Sequence, residues 1–161
     1  MEIKIGQELK IKNLLSFIID RRTMEPGEYI NKLFVYIGLQ GAERTGGNIS
    51  ARYNEPGAIS YVVLLFPINK EIPSNDNFIF VPLLHVTNCV KSTHKGSQES
   101  LNESIKKVNE FIEQNKLTPD GASYMVMVNE ITRRKGIDSV EVDIYIPIAA
   151  TGQNNATVQI S

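Results

Sequence analysis

Across 161 residues the sequence has one cysteine, two histidines and no tryptophan. The lone Cys89 excludes an internal disulfide and falls far short of a thiolate zinc site, which points to a reducing cytoplasm. No spacing of His, Cys, Asp and Glu matches a metal site, and neither a P-loop nor a dinucleotide fingerprint is present, so no metal or cofactor is expected. Charge excess is missing too: 17 basic residues face 18 acidic ones. Without a positive field to gain from counterion release, nucleic acid is not an expected partner. No apolar run approaches the roughly 20 residues of a membrane span, and the opening MEIKIGQELKIKN lacks a signal-peptide core. No membrane association and a cytoplasmic location are expected.

What is present is an average globular composition, 42% apolar and 22% charged, which argues for a folded chain. A chain this long buries roughly two thirds of its unfolded surface, enough for one domain over residues 1–161 without staples. Residues Ile11 to Ile19 read as a buried strand. Thr23 can cap the helix that follows, Pro26 suits its first turn, and Ile30, Leu33, Phe34 and Ile37 recur at helical spacing until Gly38 and Gly41 end the run. A period of two from Asn48 to Glu55 marks a strand with one wetter face. Glu55-Pro56-Gly57 reads as a tight turn. Tyr61 to Ile68 is apolar on both faces and so belongs inside a sheet, with Pro67 at its far end.

After a connector over residues 69–78 the pattern restarts. Phe78 to Val90 reads as a long strand, in which Pro82 indicates an edge or a bulge. Ser97 or Ser100 can cap the second helix, Ser100 forming a capping box with Glu103. Leu101, Ile105, Val108, Phe111 and Ile112 give that helix its buried stripe, and it stops near Asn115. Tyr124 to Val128 is a strand, Arg133 to Gly136 a charged loop, and Val140 to Ile148 a last strand with Val142, Ile144, Ile146 and Ile148 on one face. The tail from Thr151 is loose or forms an edge strand.

An offset of 75 positions brings Asn13 onto Asn88, Ile30 onto Ile105, Leu33 onto Val108, Ile37 onto Ile112, Gly46 onto Gly121 and Glu55 onto Glu130. An offset of 80 then lays Pro67-Ile68 on Pro147-Ile148. The same element order and the same closing Pro-Ile argue for duplication. The expected fold is therefore α+β: two β-α-β-β units, about residues 8–70 and 78–150, forming antiparallel sheets with two helices around a pseudo-twofold axis, with residues 151–161 as a tail. A groove between two such halves is a common place for a small ligand.

The element order, the phrase Ser92-Thr93-His94-Lys95-Gly96, the stretch Gly121 to Val128 and the ending Val142-Asp143-Ile144-Tyr145-Ile146-Pro147-Ile148 resemble the gyrase-inhibitor-like superfamily. That superfamily is related to SOUL haem-binding proteins and includes effector-binding domains of multidrug-responsive transcription activators. The resemblance implies a duplicated fold with a pocket between the halves, aromatic-lined, with a buried carboxylate that attracts cationic compounds. Here Met125 stands where that carboxylate is placed and Met127 where an aromatic follows, so cation capture and the hydrolysis seen in some relatives do not carry over. The chain is most similar to stand-alone members of an uncharacterised Gram-positive family, some found beside genes for LXG-type secreted toxins, which implies a possible accessory role.

Candidate chemistry is sparse. In a strand Cys89 and His94 fall on opposite faces, and no third residue orients the imidazole, so no catalytic residues are assigned. Glu55 and Glu130 could face one another across the twofold axis. Asp143 is either the acid of a pocket or the partner of a Lys or Arg on a neighbouring strand, the second being preferred. Tyr53, Tyr124, Met125, Met127 and Tyr145 form the candidate ligand lining, because Met adapts to varied shapes and Tyr joins apolar area to a polar tip. The expected function is a non-enzymatic module that binds an apolar small molecule. The alternative is an adaptor that meets a protein partner or a second copy, accessory to a secreted toxin system, with its groove filled by its own side chains.

Overall fold

The computed structural model describes residues 2–19, 25–53, 61–132 and 139–149. Thr23, the Glu55 turn, the Glu55–Glu130 pairing, the Arg133 loop and the tail from Thr151 lie outside the described residues. The elements run β1 (Ile3–Ile19), α1 (Pro26–Leu39), β2 (Ile49–Tyr53), β3 (Tyr61–Pro67), β4 (Ile79–Gly96), α2 (Leu101–Gln114), β5 (Ser123–Thr132) and β6 (Ser139–Pro147). All strand pairs are antiparallel, and the sheet closes as a barrel in the order β1-β3-β2-β5-β6-β4. This is the expected α+β arrangement. β1 begins eight residues before the expected Ile11, because the polar, glycine-containing segment Lys4–Lys10 hides its strand character while pairing with β4.

Duplication reaches the level of single hydrogen bonds. The Ile68 amide donates to the Asn13 carbonyl at 2.8 Å, and the Ile148 amide donates to the Asn88 carbonyl at 3.0 Å. Thr45 donates to Pro67 at 3.0 Å as Asp120 donates to Pro147 at 2.8 Å. Asn13 and Asn88 both have left-handed backbones, φ 58° and 56°, a conformation that asparagine tolerates better than most residues. Each helix ends in the same motif, with Ala42 and Leu117 donating back to Ile37 and Ile112 at 3.0 and 2.9 Å. Gly41 supplies the left-handed residue in the first helix (φ 71°) and Lys116 in the second (φ 56°).

Three apolar clusters follow from this geometry. α1 covers the outer face of β1 and β3 through Leu15, Phe17, Leu33, Ile37, Leu64 and Phe66. α2 covers β4 and β6 through Val90, Leu101, Val108, Ile112, Val142, Ile144, Ile146 and Ile148. The barrel interior is filled by Leu9, Leu14, Ile49, Ala51, Leu65, Cys89, Tyr124 and Tyr145. β4 pairs with β1 from Ile79 to Ser92 but with β6 only from Cys89 onward, so Pro82 sits where β4 has one paired edge, as its missing N–H requires.

The capping box expected at α2 is not formed. Ser100 has helical backbone angles and makes no side-chain cap; its hydroxyl donates to the Ser97 carbonyl at 3.0 Å. Ser97 is the residue that caps the turn, its Oγ accepting the Ser100 amide at 3.1 Å.

Gly47 enters the joint between the repeats, where a Cβ would lie 2.0 Å from the Met127 carbonyl oxygen. That clash is with backbone of β5, which cannot rotate away. Gly47→Ala is expected to cost about 1–3 kcal/mol or more, as overpacking against a fixed strand does, and chemical denaturation would show it as a lower midpoint.

Candidate functional site

Because the two units repeat, the space between each helix and its strands can be compared position by position. Under α1, aromatic rings occupy it. The Phe34 and Phe66 rings meet edge-on at 5.5 Å and 85°, and the Arg44 guanidinium caps the Phe34 face at 4.1 Å. Phe17, Tyr29, Tyr36 and Phe78 complete an aromatic layer around them. At the 75 and 80 offsets the second unit has Asn109, Ile146 and Pro119 in place of Phe34, Phe66 and Arg44. Its core is almost wholly aliphatic, and the space the aromatics take in the first unit stays open.

That opening is a cavity of about 900 Å³. Leu101 and Ile105 of α2 form one wall, and Met125 of β5 with Ile144 and Ile146 of β6 form the floor. Gln98, Asn102 and Asn109 border it from the helix side, Pro119, Asp120, Gly121 and Ser123 from the loop into β5, and Arg52 and Tyr53 from the end of β2. Met125 is placed by the sheet register, opposite Ser50 on β2 and Ile144 on β6. The Tyr53 ring is held against Tyr61 in a near-parallel stack at 4.8 Å.

Of the five residues proposed from sequence, Met125 lies on the cavity floor, and Tyr53 borders the cavity while its side chain packs against the barrel-interior cluster that holds Tyr124. Met127 is on the α2 side of β5 and packs into the second unit's core without lining the cavity. Tyr124 and Tyr145 point the other way, into the barrel interior, where both are buried. The cavity is thus built mainly by the second unit, with two residues from the first, rather than equally by both halves. Its other lining residues escaped the sequence reading. The signal that could have found them is the loss of Phe34 and Phe66 at the aligned positions Asn109 and Ile146.

The polar residues considered from sequence have structural partners. Thr93 Oγ1 donates to Asp143 at 2.6 Å, and Lys91 Nζ stands 3.8 Å from the same carboxylate and 5.3 Å from the centre of the Tyr145 ring. Asp143 is therefore a strand-to-strand partner, the preferred reading. His94 is buried beneath the start of α2, with Nδ1 2.7 Å from Ser104 Oγ and Nε2 3.0 Å from the Ser97 carbonyl. A carbonyl accepts only, so Nε2 donates to Ser97. Neither His94 nor Ser104 lines the cavity, and Cys89 is on the opposite side of the sheet. Among the described residues no group of three or more His, Cys, Asp or Glu could hold a metal ion, and no helix is long and apolar enough to cross a membrane.

No protein-family model and no curated protein matches the sequence. Solved structures do. The EcmrR C-terminal domain superposes with a TM-score of 0.66 at 16% identity, over 93% of this chain and 98% of that one. A hydrolase encoded by lin2189 from Listeria innocua gives 0.60 at 12% identity, over 91% and 90%. The structure of SAV2435 bound to tetraphenylphosphonium gives 0.55 at 10% identity, over 96% of each chain. These likenesses establish a shared fold.

Burial pushes the Cys89 thiol up to about 11 from an ordinary 9.0 and keeps it protonated. Because the folded state holds this proton more tightly, Cys89 contributes stability below pH 9.0 that is lost as pH rises toward 11. At about pH 8 Cys89 is expected to resist Ellman's reagent in the native protein and to react fully once the chain is unfolded.

Proposed function

We propose that this chain is a binding module for an apolar small molecule, seated beneath α2, with no chemistry of its own. The observation that carries this reading is the open cavity itself. Its volume of about 900 Å³ falls within the range of roughly 300–1,000 Å³ usual for ligand pockets, and its apolar floor with a polar border is the usual build of such sites. Support also comes from the fold shared with SAV2435, whose structure holds tetraphenylphosphonium. That fold is the one expected of the gyrase-inhibitor-like superfamily, in which binding of small effectors recurs.

An adaptor would fill the space with its own side chains, as the first unit does with Phe34 and Phe66. The second unit does not, and Met125 is left half-buried on the cavity floor. Catalysis has no comparable support: His94 hydrogen-bonds to serines at the start of α2 and does not line the cavity, and no hydrogen bond joins Ser123 to Asp120 among the described lining residues.

Copying the filled unit into the open one tests the reading. With Asn109→Phe and Ile146→Phe together, the cavity is expected to close as it does under α1. The melting temperature should rise by about 2–4 °C or more if at least 1 kcal/mol is gained from the buried rings. Saturable binding of the uncharged fluorescent probe N-phenyl-1-naphthylamine, expected in the parent protein, should be lost. A folded double variant that binds the probe as well as the parent would overturn the assignment.

A further inference from the structure

The cavity's charge pattern narrows its ligand. Resting on the binding-module reading above, we propose that the site selects an uncharged aromatic compound bearing a carbonyl-type or oxide-type hydrogen-bond acceptor, and that it disfavours lipophilic cations. Three features carry the inference. The floor made by Met125, Ile144 and Ile146 offers no charged or hydrogen-bonding group, so a cation seated there would lose its water without compensation. Among the described lining residues the only carboxylate is Asp120, which is solvent-exposed, and Arg52 brings a positive charge to the same lining. Along the helix side, Gln98, Asn102 and Asn109 present carboxamides, none of them engaged by another described group.

Each carboxamide offers an NH₂ donor beside its carbonyl acceptor, and the Arg52 guanidinium adds five donors and no acceptor, so donors are in excess and favour an acceptor on the ligand. Arg52 puts a like charge beside any cation that approaches the lining. An uncharged aromatic instead covers the floor, where the Met125 thioether suits contact with a ring, and turns its acceptor toward the donors.

Triphenylphosphine oxide and methyltriphenylphosphonium make a matched pair of probes, each with three phenyl rings, one neutral with an acceptor oxygen and the other a cation without one. Isothermal titration of the full chain is expected to show the oxide binding at least about tenfold more tightly, a gap of about 1.4 kcal/mol. Met125→Glu, which places a carboxylate on the floor, should reverse the order. Asn102→Leu with Asn109→Leu, both at exposed positions, should weaken the oxide several-fold without lowering the melting temperature. Equal or tighter binding of the phosphonium by the parent protein would overturn the charge argument while leaving the cavity assignment standing. Unchanged oxide affinity in the asparagine variant would overturn the acceptor argument. Binding of neither probe, together with no binding of N-phenyl-1-naphthylamine, would instead defeat the binding-module reading and this inference with it.

Discussion

Two backbone hydrogen bonds, Ile68 to Asn13 and Ile148 to Asn88, hold the place where each long strand changes faces. Before Asn13, Leu9 and Ile11 point into the barrel; after it Leu14 does so and Leu15 and Phe17 turn out toward α1. The three-residue step from Ile11 to Leu14 breaks a strict period of two, and it requires a residue that accepts a positive φ. The same reset at Asn88 sends Cys89 inward and Val90 out toward α2. One strand can thereby serve the barrel wall along its first half and a helix-covered layer along its second. Everything that positions the cavity descends from this: β4 carries α2 on its outer face only because its alternation has been reset.

Repetition sets up two equivalent spaces under two equivalent helices, and side-chain volume decides which one stays open. In the first unit Phe34, Phe66 and Arg44 interlock. In the second, the same positions hold Asn109, Ile146 and Pro119, which are smaller and do not stack. A packed interior loses dispersion contacts wherever such a gap is left. The second unit tolerates the gap because the rest of its core, Val90, Val108, Val140 and Val142, is fully buried. The unit that stabilises the molecule and the unit that offers a site are thus copies of one another that differ in a few aromatic rings.

Much of the fold was legible because local signals agreed with one another. Pro26 opens α1, Gly41 closes it, and the 75 and 80 offsets fall on residues whose hydrogen bonds prove equivalent. The first residues of β1 were not, since Lys4 to Lys10 mix charge and glycine and find their strand geometry only by pairing with β4. The site was half legible. Alternation separates Met125 from Tyr124 and Ile144 from Tyr145 but cannot say which set meets a helix and which the barrel interior. Tyr124 and Tyr145 therefore read as companions of Met125, although they fill the far side of the same sheet. The residues Gln98, Asn102 and Asn109 carry no motif; α2 brings them to the cavity, and only the missing aromatics opposite them leave anything to border.

Xenon under pressure enters apolar cavities without presupposing a ligand, and methyl-resolved NMR reports where it goes. In a sample labelled at methionine and isoleucine methyls, the signals of Ile105, Met125, Ile144 and Ile146 are expected to shift. Their counterparts beneath the first helix, Ile30 and Ile37, should stay fixed, as should Met127, which is outside the cavity. Equal shifts beneath both helices, or none beneath the second, would contradict the placing of the open space in the second unit alone.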